Sequence, residues 1–85
     1  MKEVLEKKIK GVTANIRKIR ESKAYTQDYL ALKLAISQNA YSKIELGYTK
    51  ITVERLFQIA RILEVDPVEL ISIDRAAAPQ RLEVI

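Results

Sequence analysis

Residues Gln27–Leu46, QDYLALKLAISQNAYSKIEL, decide how this chain is read. Leu30, Ala31 and Leu34 make an apolar face at i, i+1 and i+4, and the pattern breaks at Ala35-Ile36. Ser37 then stands where a helix N-cap belongs, and Tyr41 and Ile44 resume the apolar face at i, i+3. The spacing predicts two short helices joined by a tight turn. Gln38, Asn39, Ser42 and Lys43 are left facing outward on the second. Amides and a lysine on one short helix are the side chains that pair with base edges and phosphates.

The flanking sequence is helical as well. Leu5, Ile9, Val12, Ile16 and Ile19 are spaced 4, 3, 4 and 3, with Gly11 inside the stripe at a cost of about 1 kcal/mol against Ala. A firm helix is predicted over Thr13–Ser22, with residues 1–12 an amino-terminal extension that either continues it or does not. Thr26 caps the next helix, and Asp28 lies in its first turn, where a negative charge suits the helix dipole. The third helix is predicted from Gln38 to Leu46, ending at Gly47 as a left-handed stop. Thr52 caps a fourth, whose inward stripe reads Val53, Leu56, Phe57, Ala60 and Leu63, widened by Ile59 and Ile62. Asp66-Pro67-Val68-Glu69 opens a fifth with a capping Asp, Pro at N1 and Glu at N3. The expectation is an all-α fold, with the domain over residues 13–73 and a flexible or dimerising tail over 74–85.

Composition narrows the chemistry. The 85 residues suit one domain with a modest core. Cys and His are both absent, which excludes disulfides, thiolate or imidazole metal sites and the usual Ser-His or Cys-His nucleophiles. No carboxylate pair shares a plausible cleft, so an enzyme is not expected, nor is any cofactor or metal. No apolar run approaches the ~18–20 residues of a membrane span, and Met1 leads into charged residues, so the expected setting is cytoplasmic. The net charge of +4 is uneven. Residues 1–50 hold eleven Lys/Arg against five Asp/Glu, or +6, and residues 51–85 hold four against six, or −2. One end suits phosphate and the other suits protein.

Residues Ile16–Ile71 resemble the helix-turn-helix domain of the Cro and phage-repressor type, the XRE family. The resemblance rests on Ile16-Arg17-Lys18-Ile19-Arg20, on Thr26-Gln27 opening the motif, and on Ala31 at the helix crossing. Ile36-Ser37-Gln38, Lys43-Ile44-Glu45-Leu46-Gly47 and Ile59-Ala60-Arg61-Ile62-Leu63 continue it in order. It implies a compact five-helix lambda-repressor-like domain whose helix from Gln38 lies in the major groove of double-stranded DNA. Ser37, Gln38, Asn39 and Lys43 match the base-facing positions, with Ser42 beside them. Gln27 matches the glutamine that bonds a phosphate, and Tyr48, Thr49 and Lys50 match the loop that grips the sugar-phosphate strand. Arg20 and Glu45 match a structural salt bridge between the first helix and the end of the recognition helix.

Five positions depart from that family pattern. Ala24 and Ala35 stand where glycine usually takes a left-handed turn, at about 1 kcal/mol each. Tyr41 is larger than the usual small β-branched residue, and its hydroxyl needs solvent or a partner. Tyr29 and Leu32 fall on positions that are normally polar. Three readings stand for them: a patch for a protein partner, packing against the extension around Leu5 and Ile9, or scattered exposed residues.

The resemblance implies a sequence-specific transcription regulator, a repressor sooner than an activator, acting as a homodimer on a palindromic operator with half-sites ~34 Å apart. Val68, Ile71 and Ile73, or the tail residues Leu82, Val84 and Ile85, are the candidate dimer surfaces. The alternatives are the antitoxin of a toxin–antitoxin pair, holding its toxin through Tyr29, Leu32 or the tail, and a protein-interaction adaptor that kept the fold without DNA binding. An adaptor would carry acidic residues on the groove-facing surface, and Gln38, Asn39, Ser42 and Lys43 include none.

Overall fold

The computed structural model describes residues 1–72, and the tail residues Leu82, Val84 and Ile85, with Ile73, lie outside them. Five helices follow in order: α1 Lys2–Ser22, α2 Gln27–Leu34, α3 Gln38–Glu45, α4 Val53–Leu63 and α5 Pro67–Ile71. The amino-terminal extension continues α1 without a break through Gly11. The core gathers Ile16 from α1, Leu30 and Ala31 from α2, and Tyr41 and Ile44 from α3. Ile59, Ala60 and Leu63 from α4 and Leu70 from α5 complete it. α1 packs on α3, α4 and α5, while α2 packs on α3 and α4.

The starts of α2, α3, α4 and α5 are each held by the residue the sequence puts there. The hydroxyls of Thr26, Ser37 and Thr52 accept from the backbone N–H of Tyr29, Ala40 and Arg55, each at 3.0 Å. Asp66 and Glu69 form a reciprocal capping box on α5. The helix ends share one device. After α1, α2, α3 and α4, a left-handed residue is followed by a backbone N–H that bonds back five residues: Tyr25 to Arg20, Ile36 to Ala31, Tyr48 to Lys43 and Val65 to Ala60. The left-handed residues are Ala24 (φ 61°), Ala35 (61°), Gly47 (81°) and Glu64 (59°). Both alanines therefore take the turn in which glycine costs least, and Glu64 is a third such position that residue patterning did not reveal.

One expectation for α4 needs correction. Val53 and Phe57, read as part of the inward stripe, are 69% and 56% exposed, whereas Ile59 is fully buried. At 100° per residue the buried arc is centred between Ile59, Ala60 and Leu63, and Phe57 lies about 110° around the helix from that centre. The continuous apolar run masked which side of a short helix the core would claim.

Tyr29 and Leu32 also separate. Tyr29 packs against Tyr25, ring centroids 4.5 Å apart, and the Lys33 ammonium lies 5.6 Å from the Tyr29 ring centre. Leu32 is 76% exposed. Tyr29 packs at the rim of the core, and α2 is not among the helices that α1 packs on.

Candidate nucleic-acid interface

A buried carboxylate fixes α3 in place. Glu45 Oε2 accepts from Arg20 Nε and from the Tyr41 hydroxyl, both at 2.6 Å. Its Oε1 accepts from Arg20 Nη2 at 3.2 Å and from Gln27 Nε2 at 3.1 Å. Arg20 Nη1 goes on to the Tyr25 carbonyl at 2.7 Å. The side chains of Arg20 and Glu45 are only 9% and 2% exposed. One carboxyl group thus joins α1, the start of α2 and the end of α3, and its four acceptor positions are filled. Burial pushes the Glu45 carboxyl up, but the hydrogen bonds from Arg20, Tyr41 and Gln27 outweigh it and hold the group below its ordinary value. Burial and the bond to Glu45 push the Tyr41 hydroxyl well above the usual phenol range. The large residue at position 41 has its partner, and no buried side-chain N or O atom among the described residues lacks one.

Around this anchor, α3 presents its outer side. Gln38, Asn39 and Lys43 are exposed and Ser42 is half-buried. An open cleft of about 350 Å³ runs between α3 and the start of α4. Its walls include Ser37, Asn39 and Lys43 from the first side and Thr49, Lys50, Thr52 and Arg55 from the second. Three cations and two helix amino termini converge there, and no carboxylate lines it. The first-turn N–H groups of a helix lack intrahelical acceptors and carry the positive end of its dipole, so such a cleft attracts anions.

The structure sorts the predicted site residues. Ser37, Asn39, Lys43, Thr49 and Lys50 come together in the cleft. Gln38 and Ser42 lie on α3 but do not line it, and the exposed Tyr48 stands outside it, its N–H held by the Lys43 carbonyl at 2.9 Å. The Ser37 hydroxyl oxygen is occupied as the cap of α3. Gln27 is half-buried with its amide nitrogen on Glu45, so its side chain braces α3 from within the fold. Thr52 and Arg55 were not among the predicted contacts. Their signal was present: a capping Thr and an Arg three residues on, directly after the Tyr48-Thr49-Lys50 loop. Arg55 also bonds Gln58 Oε1 at 3.1 Å, which steadies its guanidinium at the cleft.

Residues 16–70 match the helix-turn-helix family model, well over half of the chain. The chain belongs to this family, the XRE-type helix-turn-helix domains, which are DNA-binding domains of transcription regulators and not an enzyme family. Neither a curated relative nor a solved structure matches it. Among the described residues, no helix is long and apolar enough to cross a membrane.

Proposed function

We propose that the chain is a sequence-specific repressor that reads double-stranded DNA through α3 and binds a palindromic operator as a homodimer. The observation that carries this reading is the carboxylate-free cleft between α3 and α4, with Asn39 and Lys43 on one wall and Lys50 and Arg55 on the other. Gln38 and Asn39 project toward base edges and pair with adenine N6 and N7; Lys43 takes guanine O6 or N7, or a phosphate. Thr49, Lys50, Thr52 and Arg55 hold the adjacent phosphate strand, joined by Tyr48 beyond the cleft, and Ser37 and Ser42 flank the bases. Gln27 contributes through its brace on Glu45, with the first turn of α2 supplying backbone N–H groups to a phosphate. The regulator works by occupying its site against polymerase.

A protein-interaction adaptor is disfavoured because its groove face would carry acid groups where this cleft has three cations. Two such domains on half-sites ~34 Å apart supply the base contacts that one lacks. The exposed Val68 and Ile71 of α5 offer one pairing surface.

Fluorescence-anisotropy titration with labelled duplexes over a salt series tests the reading. The expected result is a log–log salt slope of several units, with a further gain of about 10³-fold or more on the preferred duplex over random sequence. No binding at low salt would remove DNA from the account and leave the adaptor.

A further inference from the structure

The amino-terminal arm of α1 carries an apolar face that the described domain leaves open. Leu5, Ile9, Val12, Ile16 and Ile19 keep a 4-3-4-3 spacing on one helix face, and burial falls away along it. Ile16 is fully buried and Val12 half-buried, whereas Ile9 is 47% and Leu5 56% exposed. The seam that enters the core therefore runs on for two further turns into solvent, with Val4 exposed beside it. A contiguous apolar stripe on a charged helix is an interaction surface.

The place where the chain leaves α5 identifies the occupant. Asn15 Nδ2 donates to the Leu70 carbonyl at 3.1 Å, so the end of α5 sits against α1 at the point where the open face begins. From Asn15 to Leu5 is ten helical residues, about 15 Å. Residues 73–85 follow Ser72, and thirteen residues span up to about 40 Å when extended, which is more than enough to run the length of the arm. Ile73, Leu82, Val84 and Ile85 supply matching apolar side chains. Charge argues the same way. Residues 1–12 hold four Lys against two Glu, so two copies of the arm would meet with like net charge. Residues 73–85 hold two acidic and two basic side chains and meet the arm without net repulsion. We infer that the open face around Leu5 and Ile9 is a docking surface for residues 73–85 of the same chain.

The chain has no cysteine, so one introduced thiol reports the contact cleanly. Ile9→Cys is made in the full chain and in a full chain that also carries Leu82→Asp and Val84→Asp, and the rate of reaction with DTNB is measured over a wide range of protein concentration. The expected result is a thiol about tenfold slower in the first chain than in the second, at every concentration, since thiol reactivity follows exposure. Equal rates would show a bare face and overturn the inference. Protection that grows with protein concentration would overturn it in favour of a second copy as the occupant.

Discussion

Arg20 and Glu45, twenty-five residues apart, meet through two parallel hydrogen bonds of 2.6 and 3.2 Å in a nearly dry pocket. This pairing positions α3 without touching its outer face, so stability and the proposed DNA contact fall on different residues. A buried pair of this kind is costly to break, because removing one partner strands the other charge. Glu45→Ala is expected to lose about 3 kcal/mol of stability. Lys43→Ala, on the exposed face, is expected to keep its Tm while its DNA salt slope falls by about one unit. Thermal melts of the two variants side by side check this, and equal melting temperatures would contradict it.

The same cluster gives stability two pH edges. Glu45 is held below the ordinary 4.5 in the folded state. Its contribution is therefore complete above that value and is lost as pH falls from about 4.5 toward the lower folded value. Tyr41 is raised above the ordinary 10.0, so the unfolded chain gives up its proton first. That contribution is complete below pH 10.0 and is lost as pH rises past it. Tyr41→Phe keeps the ring in the core, costs about 1.5–3 kcal/mol at neutral pH through the lost charged hydrogen bond, and should shrink the alkaline edge while leaving the acid edge in place. Denaturant melts from pH 3 to 11 test both edges, and an unchanged alkaline edge in the variant would argue against the account.

Much of this was legible in the residues. Thr26, Ser37, Thr52 and Asp66 announced the four helix starts because a capping side chain acts on N–H groups two or three positions away. The outward face of α3 was legible in the apolar spacing, and the Arg20–Glu45 pair through the family resemblance. Long-range choices were not. Nothing local to Val53 or Phe57 says that the core claims Ile59 instead, and nothing near Gln27 says that its amide turns in to a carboxylate eighteen residues on. Arg55 enters the cleft because the fold sets the first turn of α4 across it from α3, and that is a tertiary fact.

The left-handed turns offer a gain. Ala24, Ala35 and Glu64 pay the steric cost of φ near 60° that glycine avoids. Ala35→Gly, in the turn between α2 and α3, is expected to raise stability by up to about 1 kcal/mol, a Tm increase of several degrees, after the extra unfolded-state entropy of glycine is offset. A lower Tm would mean that the turn tolerates its alanine without strain.

Arg55 and Asn39 line one cleft but should fail differently. Arg55→Gln is expected to weaken binding to all duplexes alike and to reduce the salt slope by about one unit, as a lost phosphate contact does. Asn39→Ala should cost about 1–3 kcal/mol on the preferred duplex and relax the preference at one base pair. Titration of both variants against preferred and random duplexes checks the split. A change of base preference in Arg55→Gln would move that residue from the strand to the bases.

The most direct test of the central claim is selection of bound duplexes from a randomised pool, run in parallel with wild type and with Gln38→Ala/Asn39→Ala. The account predicts a palindromic consensus for wild type, with half-sites about one helical turn apart, and its loss in the double variant while salt-dependent binding persists. The same consensus enriched by both proteins would contradict it, because the outer face of α3 would then not be what reads the sequence.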